Sequence, residues 1–337
     1  MRIAILSPIH WRTPPTKYGP WELMASYIAE GMVKAGHTVT LYATGDSETT
    51  ARLKWICPKP IMENSGLEAK VYQYLHTASV FEDADQYDII HNHYDAYPLV
   101  FSKLVKTPVV TTIHGFSSPQ VIEIYKRYSN THYVSISYAD RKNSPDMRWT
   151  ANVYHGIPVE EYTFNDTPHD YFCYLGRICA DKGVHLSIKL AQKLGIKLKL
   201  AGLVPLENKD FFEKEVKPHL SSQIKYLGEI SHEAKKTLLQ HARGLLHLNT
   251  HPEGFGITLI EAMACGTPVV GMNQGSIAEV IEDKKTGFVV NNTDEAEEAV
   301  KKIDKISRIA CRERVKTFFS VERMVSDYEK VYKKIIS

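Results

Sequence analysis

Two glutamates and a group of glycines lie close together in the segment HPEGFGITLIEAMACGTPVVG, residues 251–271. Glu253 lies beside Gly254 and Gly256, and Glu261 follows eight positions later. Glycines at a helix start let a ligand approach the backbone, and the unpaired amides of the first turn attract anions such as a diphosphate. A continuous helix would separate the two carboxylates by roughly 12 Å, which matches the reach from a sugar across a diphosphate to a ribose. The pair could therefore bracket a nucleotide-sugar, although one surface glutamate and one ordinary helix glutamate would show the same spacing.

Two cations lie in the segment YLGRICADKG, residues 174–183, which follows a predicted strand. Arg177 and Lys182 enclose a short loop that ends at a second predicted helix start. Two cations beside a helix N-terminus bind an anion more strongly than either charge alone. The alternative is a solvated basic loop. Both clusters follow strands of one predicted sheet, and this shared location favours the anion site.

These residues need strands and helices to position them, and the chain alternates between the two from its start. Residues 2–7 form a compact apolar run, which is typical of a strand buried on both faces. Pro20 stands at the start of a helical pattern over 21–35, which Gly36 ends, and a second strand is predicted at 37–44. A strand–helix–strand unit of this kind predicts parallel pairing.

The alternation continues along the chain and is most regular after about residue 171. Further strands are predicted at 87–92, 108–114, 132–137, 152–155, 171–175, 197–201, 224–227, 244–248, 268–272 and 287–290. Further helices are predicted at 183–194, 232–241, 256–264, 276–282 and 294–302. A polar stretch over 160–169 contains Pro168 and separates the two halves. We therefore predict an α/β protein of two doubly wound Rossmann-like domains, over 1–160 and 170–315, that face each other across a cleft.

Composition excludes several classes of protein. The formal net charge of +2 gives no reason to expect a nucleic-acid partner. The chain has five cysteines, an odd number, and they are widely spaced. This pattern favours buried thiols over a disulfide framework. No run of about 18 apolar residues is present, and the apolar run at the N-terminus is too short for a signal peptide. We therefore expect a soluble, cytoplasmic protein.

Four segments carry a resemblance to a known family: GRICADKG, PEGFGITLIEAMACGTPVVG, GSIAEVIEDKKTGFVV and FSVERMVSDYEKVY. They resemble the retaining glycosyltransferases of family 4, which have the GT-B fold and belong to a superfamily with glycogen synthase and phosphatidylinositol mannosyltransferase. Looser similarity in the first half rests on YGPWE, DIIHNH and TIHG. The resemblance implies that the C-terminal domain holds most of a nucleotide-sugar donor. It also implies that the last helix, within 321–337, crosses back onto the N-terminal domain.

The resemblance assigns a role to each residue of the two clusters. Arg177 and Lys182 would hold the donor diphosphate and stabilise the leaving phosphate, Glu253 would contact the transferred sugar, and Glu261 would contact the ribose. His114, after a strand of the N-terminal domain, would contact the sugar as well. The residues whose backbone would line the sugar and the phosphates are Gly254, Phe255, Gly256 and Ile257.

The loop before the first helix departs from the family pattern. Gly19 resembles the first glycine of the family's Gly-Gly-x-Glu loop and Glu22 its acid, but Pro20 replaces the second glycine. Proline has no N–H to offer a phosphate, so this loop would give the diphosphate less help. Aromatic and polar residues near the predicted strand ends could line an acceptor or could simply be packed. The residues that we assign to this acceptor group are Trp11, Tyr18, Trp21, Glu22, His93 and Tyr94.

The reaction that the resemblance implies is front-face transfer of a hexose with retention of anomeric configuration, without a metal or any cofactor besides the donor. We expect a UDP- or GDP-sugar donor, of the UDP-glucose type, and a saccharide or small-molecule hydroxyl as the acceptor. Two alternatives are a nucleotide-sugar 2-epimerase of the same fold and a nucleotide-sugar-binding protein without turnover.

Three further signals have simpler interpretations. Asp83 and Asp85 match a metal motif of another glycosyltransferase fold, but they precede a predicted strand and fit a surface turn. His91, His93 and Asp95 have a spacing that suits a metal, and we favour packing for His91 and a site role for His93. A basic amphipathic stretch could rest on anionic lipid, and we favour a solvated helix face for it. Its cations are Lys301, Lys302, Lys305, Arg308, Arg312 and Arg314.

Overall fold

Two parallel sheets organise the chain, and each belongs to a separate unit. The computed structural model describes residues 1–64, 66–142 and 144–337. Unit 1 comprises Met1–Gly156 and Val321–Ser337, and unit 2 comprises Ile157–Ser320. The predicted fold class, α/β with two Rossmann-like sheets, is confirmed.

The sheet of unit 1 has seven parallel strands within the described residues. They are β1 (Arg2–Leu6), β2 (Thr38–Tyr42), β3 (Arg52–Lys54), β4 (Ile89–Asn92), β5 (Val109–Ile113), β6 (His132–Ser135) and β7 (Trp149–Asn152). Their order is β3-β2-β1-β4-β5-β6-β7. Because helices cover both faces of such a sheet, every residue of the central strands β4 and β5 is buried, including the polar His91, Asn92, Thr111 and Thr112.

Two strands of unit 1 differ from the sequence prediction. β3 was not predicted, because its three residues are too short and too polar to stand out from a loop. The last strand was predicted at 152–155, but β7 spans Trp149–Asn152. The backbone amide of Val153 donates to the carbonyl of Ser135, which ends the pairing with β6. The prediction was wrong because the apolar Val153 and Tyr154 resemble strand residues but follow the strand.

The helices of unit 1 are α1 (Pro20–Lys34), α2 (Ala69–Glu82), α3 (Pro119–Arg127) and α4 (Tyr138–Arg141), together with the C-terminal helix, Val321–Ile336. Helix α1 begins as predicted, with Pro20 in its first turn and Gly19 before it at a φ of 148°. The C-terminal helix buries one face, which carries Tyr328 and Tyr332. Its Val325 packs against Gly31 of α1, where a larger residue would not fit.

Unit 2 has six parallel strands within the described residues, in the order β10-β9-β8-β11-β12-β13. They are β8 (Phe172–Leu175), β9 (Leu198–Ala201), β10 (Ile224–Tyr226), β11 (Gly244–His247), β12 (Val269–Met272) and β13 (Gly287–Val290). Its helices are α5 (Val184–Leu194), α6 (Lys209–Phe211, continued by a π-helix over Phe212–Val216), α7 (His232–Gln240), α8 (Ile257–Ala264), α9 (Ile277–Val280), α10 (Thr293–Lys301) and α11 (Arg308–Phe318).

Three arginines of the basic stretch connect α11 to the rest of unit 2 through hydrogen bonds. The Arg308 guanidinium donates to the backbone carbonyls of Asn165, Gln240 and Ala242. Arg312 donates to those of Tyr162 and Ala264, and Arg314 to those of Glu279 and Val280. The expectation of a solvated helix face is therefore wrong for these three residues, because their side chains cap carbonyls that other elements leave open. Among the described residues, no helix combines the length and apolarity that crossing a bilayer requires.

Two glycines let the loops of unit 2 approach one another backbone to backbone. Gly183, which precedes α5, has a φ of 69°, and a Cβ placed there would overlap the carbonyl of Leu248. Gly202, after β9, has a φ of 145°, and its Cβ would overlap the carbonyl of Gly176. Larger residues would therefore separate the loops that follow β8, β9 and β11 at the carboxyl edge of the sheet.

Replacing Gly183 by alanine should destabilise unit 2 far more than the same change at Gly195. Both glycines flank α5 and have a similar left-handed backbone, with φ of 69° and 64°, but no atom lies within 4 Å of a Cβ at Gly195. Gly195→Ala should cost about 1 kcal/mol for the backbone alone, whereas Gly183→Ala should cost about 1–3 kcal/mol more because of the overlap with Leu248. Urea unfolding followed by circular dichroism measures both. Equal losses in the two variants would contradict the close approach.

Candidate functional site

Lys182, Glu253 and His247 form a partly buried cluster at the carboxyl edge of the unit 2 sheet. The Lys182 ammonium lies 2.6 Å from Oε2 of Glu253, and Nε2 of His247 lies 3.1 Å from the same oxygen. Lys182 ends a short 3₁₀ turn before α5, whereas His247 is the last residue of β11. Burial raises the pKa of Glu253, but the hydrogen bond from His247 and the charge of Lys182 outweigh it and lower the pKa to about 2. Glu253 is therefore a carboxylate at neutral pH.

Backbone contacts hold Glu253 in place independently of its side chain. Its N–H donates to the carbonyl of Gln274, and its carbonyl accepts from the N–H of Ser276. Gly275, between them, has a φ of 69° and leaves no room for a Cβ against Glu253. The loop after β12 thus supports the loop after β11. No role in the site was predicted for this second loop or for His247, and the glycine of the segment NQGS was the signal available for the loop.

The segment between Glu253 and Glu261 is only partly helical, which changes the predicted geometry. Helix α8 begins at Ile257, after Gly256 in a left-handed conformation with a φ of 80°. Glu253 therefore lies outside the helix and Glu261 lies about one turn inside it. The estimate of 12 Å assumed a continuous helix and does not apply. Phe255 is 2% exposed and packs edge-on against Phe319, so Gly254, Phe255 and Ile257 can offer a ligand mainly their backbone.

Glu261 has partners of its own within unit 2. The hydroxyl of Tyr162 donates to Oε1 of Glu261 at 2.9 Å, and the ammonium of Lys235 contacts the same oxygen. Glu261 is 1% exposed. Glu253 and Glu261 are thus each paired with a different lysine, Lys182 and Lys235. Neither ion pair was predicted from the sequence.

Arg177 is positioned by the loop after β8. The hydroxyl of Tyr174 donates to the carbonyl of Arg177 at 2.7 Å, and the N–H of Gly176 donates to the carbonyl of Ala201. The N–H of Thr250 donates to the carbonyl of Asp181, which ties this loop to the one that carries Glu253. Within the described part of the chain, the guanidinium of Arg177 has no ion pair. The structure thus places a cation that lacks a carboxylate partner on the loop next to a lysine that has one.

The candidate residues of unit 1 range from exposed to fully buried. The rings of Trp21 and His114 stack at 5.4 Å, and both side chains are half-buried, whereas Tyr18 is 39% exposed. Tyr94 is 1% exposed within an apolar cluster, and His93 is fully buried. The structure therefore does not present Tyr94 or His93 to an acceptor.

Gly19 and Glu22 close the loop before α1. Oε1 of Glu22 accepts the backbone N–H of Trp11 at 3.2 Å, and a Cβ on Gly19 would lie 2.8 Å from Pro15 and 3.2 Å from Oε2 of Glu22. Burial raises the pKa of Glu22 to about 7, against the lowering effect of its backbone hydrogen bonds. This hydrogen bond gives both Glu22 and Trp11 a structural role in the loop.

Two aspartates of the possible metal motifs in unit 1 have protein partners. Asp83 accepts from Lys54 at 2.7 Å and from the Tyr42 hydroxyl at 2.6 Å, and Asp95 accepts from the Tyr125 hydroxyl. Among residues 1–64, 66–142 and 144–337, no group of three or more histidine, cysteine, aspartate or glutamate side chains is arranged to hold a metal ion.

Two family descriptions match nearly the whole chain. Residues 22–157 match Glycosyltransferase Family 4, and residues 161–316 match Glycosyl transferases group 1. An uncharacterized glycosyltransferase of Methanocaldococcus jannaschii is 26% identical over 275 residues, which cover 75% of this chain and 77% of the relative.

Solved structures share the fold at low sequence identity. Sucrose-phosphate synthase of Thermosynechococcus elongatus has a TM-score of 0.82 at 17% identity, with 99% of this chain and 98% of that chain covered. The Anabaena protein HepE, solved in complex with UDP and glucose, has a TM-score of 0.78 at 18% identity, with coverage of 99% and 100%.

The ionisation of Glu253 predicts how the stability of unit 2 depends on pH. A carboxyl whose pKa is lowered by folding contributes stability above its unfolded value near 4.5, and this contribution is lost as pH falls from there towards 2. Between pH 5 and pH 2, wild type should therefore lose about 2–3 kcal/mol more unfolding free energy than Glu253→Gln. Urea unfolding followed by circular dichroism tests this, with Glu207→Gln as an exposed control. Equal slopes for wild type and Glu253→Gln would refute the pairing.

Proposed function

The chain belongs to the glycosyltransferases of family 4 and group 1, and we propose that it transfers a hexose from a nucleoside-diphosphate sugar to a hydroxyl group with retention of configuration. The donor is a UDP- or GDP-sugar, of the UDP-glucose type, and the acceptor is a saccharide or a small molecule. The HepE structure with UDP and glucose, and the sucrose-phosphate synthase structure, support this substrate class by analogy of fold.

The contact between Lys182 and Glu253 is the observation that carries the proposal. It joins the loops before two helix starts, α5 and α8, whose N-cap residues are Gly183 and Gly256. Neither glycine has a side chain that could cap the first-turn amides, and these amides favour an anion. Two such helix starts beside a lysine suit a diphosphate.

Three candidate residues of unit 2, Arg177, Lys182 and Glu253, each have a role in the proposed reaction. Arg177, which has no carboxylate partner among the described residues, binds the diphosphate, and its charge stabilises the leaving group. Lys182 shares its ammonium between Glu253 and the phosphate, so its salt bridge holds it in position before the donor arrives. The Glu253 carboxylate accepts hydrogen bonds from the hydroxyls of the transferred sugar.

Glu261 is assigned to the ribose on the resemblance to the family alone, because the structure leaves it only 1% exposed. Tyr162 and Lys235 both contact Oε1, which fixes the carboxylate plane. A fixed carboxylate accepts ribose hydroxyls without the entropic cost of ordering a mobile side chain.

The chemical step is a front-face displacement that needs charge stabilisation more than a protein nucleophile. The bond between the anomeric carbon and the phosphate oxygen breaks, and a bond forms from the same carbon to the acceptor oxygen. The acceptor proton passes to the departing phosphate oxygen, and a nucleoside diphosphate leaves. Arg177, Lys182 and the first-turn amides stabilise the charge that develops on that phosphate.

Unit 1 is assigned to recognition of the acceptor and of the sugar. The stacked pair of Trp21 and His114 offers a half-buried aromatic surface, and sugars pack well on such surfaces. Tyr18 is the most exposed aromatic residue of the group. Gly19 can offer an amide to the phosphate, whereas Pro20 cannot.

Calorimetric titration with UDP, GDP, ADP and their common sugar conjugates, with and without magnesium, tests the donor assignment. We expect one nucleoside diphosphate to bind with micromolar affinity in the absence of metal. Release of that nucleoside diphosphate only in the presence of an acceptor then identifies the transferase. A C2-epimerised sugar without acceptor would identify an epimerase instead, and tight donor binding without turnover across an acceptor panel would identify a binding protein.

Arg177→Ala should lower kcat by roughly 10²–10³-fold, because one charge that stabilises the leaving phosphate is lost. Lys182→Ala should have an effect of similar size. Lys189→Ala, which removes an exposed lysine of α5 in the same unit, serves as the matched control and should leave kcat unchanged. Steady-state assays of nucleoside diphosphate release measure all three, and circular dichroism checks that they fold. Near-normal turnover of Arg177→Ala would exclude it from the reaction.

A further inference from the structure

His247 is the most buried member of the cluster that it forms with Lys182 and Glu253. Its side chain is 7% exposed, compared with 14% for Glu253 and 26% for Lys182. Its Nε2 atom lies 3.1 Å from Oε2 of Glu253. Lys182 and Glu253 have roles in the proposed transfer, and His247 contacts the one of them that is assigned to the sugar.

Strand β11 fixes the position of the His247 ring. This strand lies between β8 and β12 in the sheet, and His247 is paired with Gly271 of β12. Leu246, the residue before it, packs in the hydrophobic core of unit 2. Successive side chains of a strand point to opposite faces, so the His247 ring points away from that core, and it meets Glu253. A ring with only two side-chain torsions on a central strand is a rigid hydrogen-bond donor.

The direction of the hydrogen bond between His247 and Glu253 follows from the charge of the carboxylate. Glu253 is ionised at neutral pH, so its oxygens can only accept hydrogen bonds. The hydrogen must therefore come from Nε2 of His247, whether the ring is neutral or protonated.

Both protein donors meet the same oxygen of Glu253. The Lys182 ammonium lies 2.6 Å from Oε2, and His247 contacts this oxygen as well. Among the residues that the structure describes, none donates a hydrogen bond to Oε1. The carboxylate thus has one oxygen that the protein holds and one whose acceptor capacity is left for a ligand.

The backbone contacts of Glu253 leave the three torsions of its side chain free, so the carboxylate depends on these two donors for its orientation. Lys182 has a long and flexible stem, and in the proposed transfer it shares its ammonium with the donor phosphate. His247 has no such second partner in the reaction. It is therefore the donor that stays with Oε2 when the diphosphate is bound.

We propose that His247 is a positioning residue for the transferred sugar: its Nε2–H holds Oε2 of Glu253, and this presents Oε1 to a sugar hydroxyl. This role rests on the proposed function, because it requires Glu253 to contact the sugar. His247 acts on the sugar only through Glu253. A carboxylate that is oriented before the donor arrives accepts the hydroxyl without the entropic cost of ordering a mobile side chain.

Calorimetric titration of the full-length protein with UDP and with UDP-glucose tests this role, because only the second probe carries the sugar. His247→Leu keeps an apolar side chain of similar size and removes the N–H. In this variant the Kd of UDP-glucose should rise roughly three- to ten-fold, whereas the Kd of UDP should stay within about two-fold of wild type. GDP and GDP-glucose serve in the same way if wild type prefers guanosine. Equal losses for both probes would indicate a general role in folding and would overturn the proposal.

Two further variants test whether His247 acts through Glu253. His247→Gln retains a side-chain N–H of similar reach and should keep the ratio of the two dissociation constants within about two-fold of wild type. In a Glu253→Ala background, His247→Leu should not change this ratio further, because the carboxylate that it positions is gone. A further loss in that background would show that His247 acts without Glu253, which would also overturn the proposal.

His219→Leu is the matched control, because it removes a histidine of the same unit that lies in a surface 3₁₀ turn and contacts Gln192. It should bind both probes like wild type, and circular dichroism checks that all variants fold. If wild type binds both probes and His247→Leu has the same ratio of dissociation constants, the role of His247 fails and the proposed function stands. If wild type binds neither pair of probes, the donor assignment fails, and the role of His247 fails with it.

Discussion

Backbone packing that only glycine permits determines the site of unit 2. Gly183 lets the start of α5 touch the carbonyl of Leu248, and Gly275 lets the loop after β12 touch Glu253. Without these contacts the loops after β8 and β11 would separate, and Lys182 could not lie 2.6 Å from Glu253. The ion pair is therefore a result of close backbone approach. It in turn keeps a lysine and a carboxylate in fixed positions in a partly buried setting, where water screens their charges less than at the open surface.

In unit 1, burial affects a cluster of histidines, and it keeps them uncharged. Desolvation keeps His91, His93 and His114 uncharged, and their ring nitrogens face other imidazoles and hydroxyl groups instead of ions. The C-terminal helix completes this arrangement through Tyr328 and Tyr332, which are far from the histidines in sequence. The C-terminal helix thus places two buried hydroxyl groups beside His91 and Thr112 of the sheet.

Much of the architecture could be predicted from the chain because its signals are local. Apolar runs of strand length, prolines at helix starts and glycines after them predicted most strands of both sheets, helix α1 and five helices of unit 2, and hence the α/β fold class. The resemblance to family 4 glycosyltransferases rested on contiguous motifs and is confirmed by both family descriptions. Short or polar elements such as β3 were missed, because three residues carry too little pattern.

The sequence by itself determined which residues could bind an anion and which fold would present them, because residue type and periodicity are properties of neighbouring positions. Only the tertiary structure decided their partners. It paired Glu253 with Lys182 and His247, paired Glu261 with Lys235, and buried Tyr94 away from any acceptor. These pairings join positions 6 to 71 residues apart, and they depend on desolvation and ångström-scale distances that exist only once the sheets have formed.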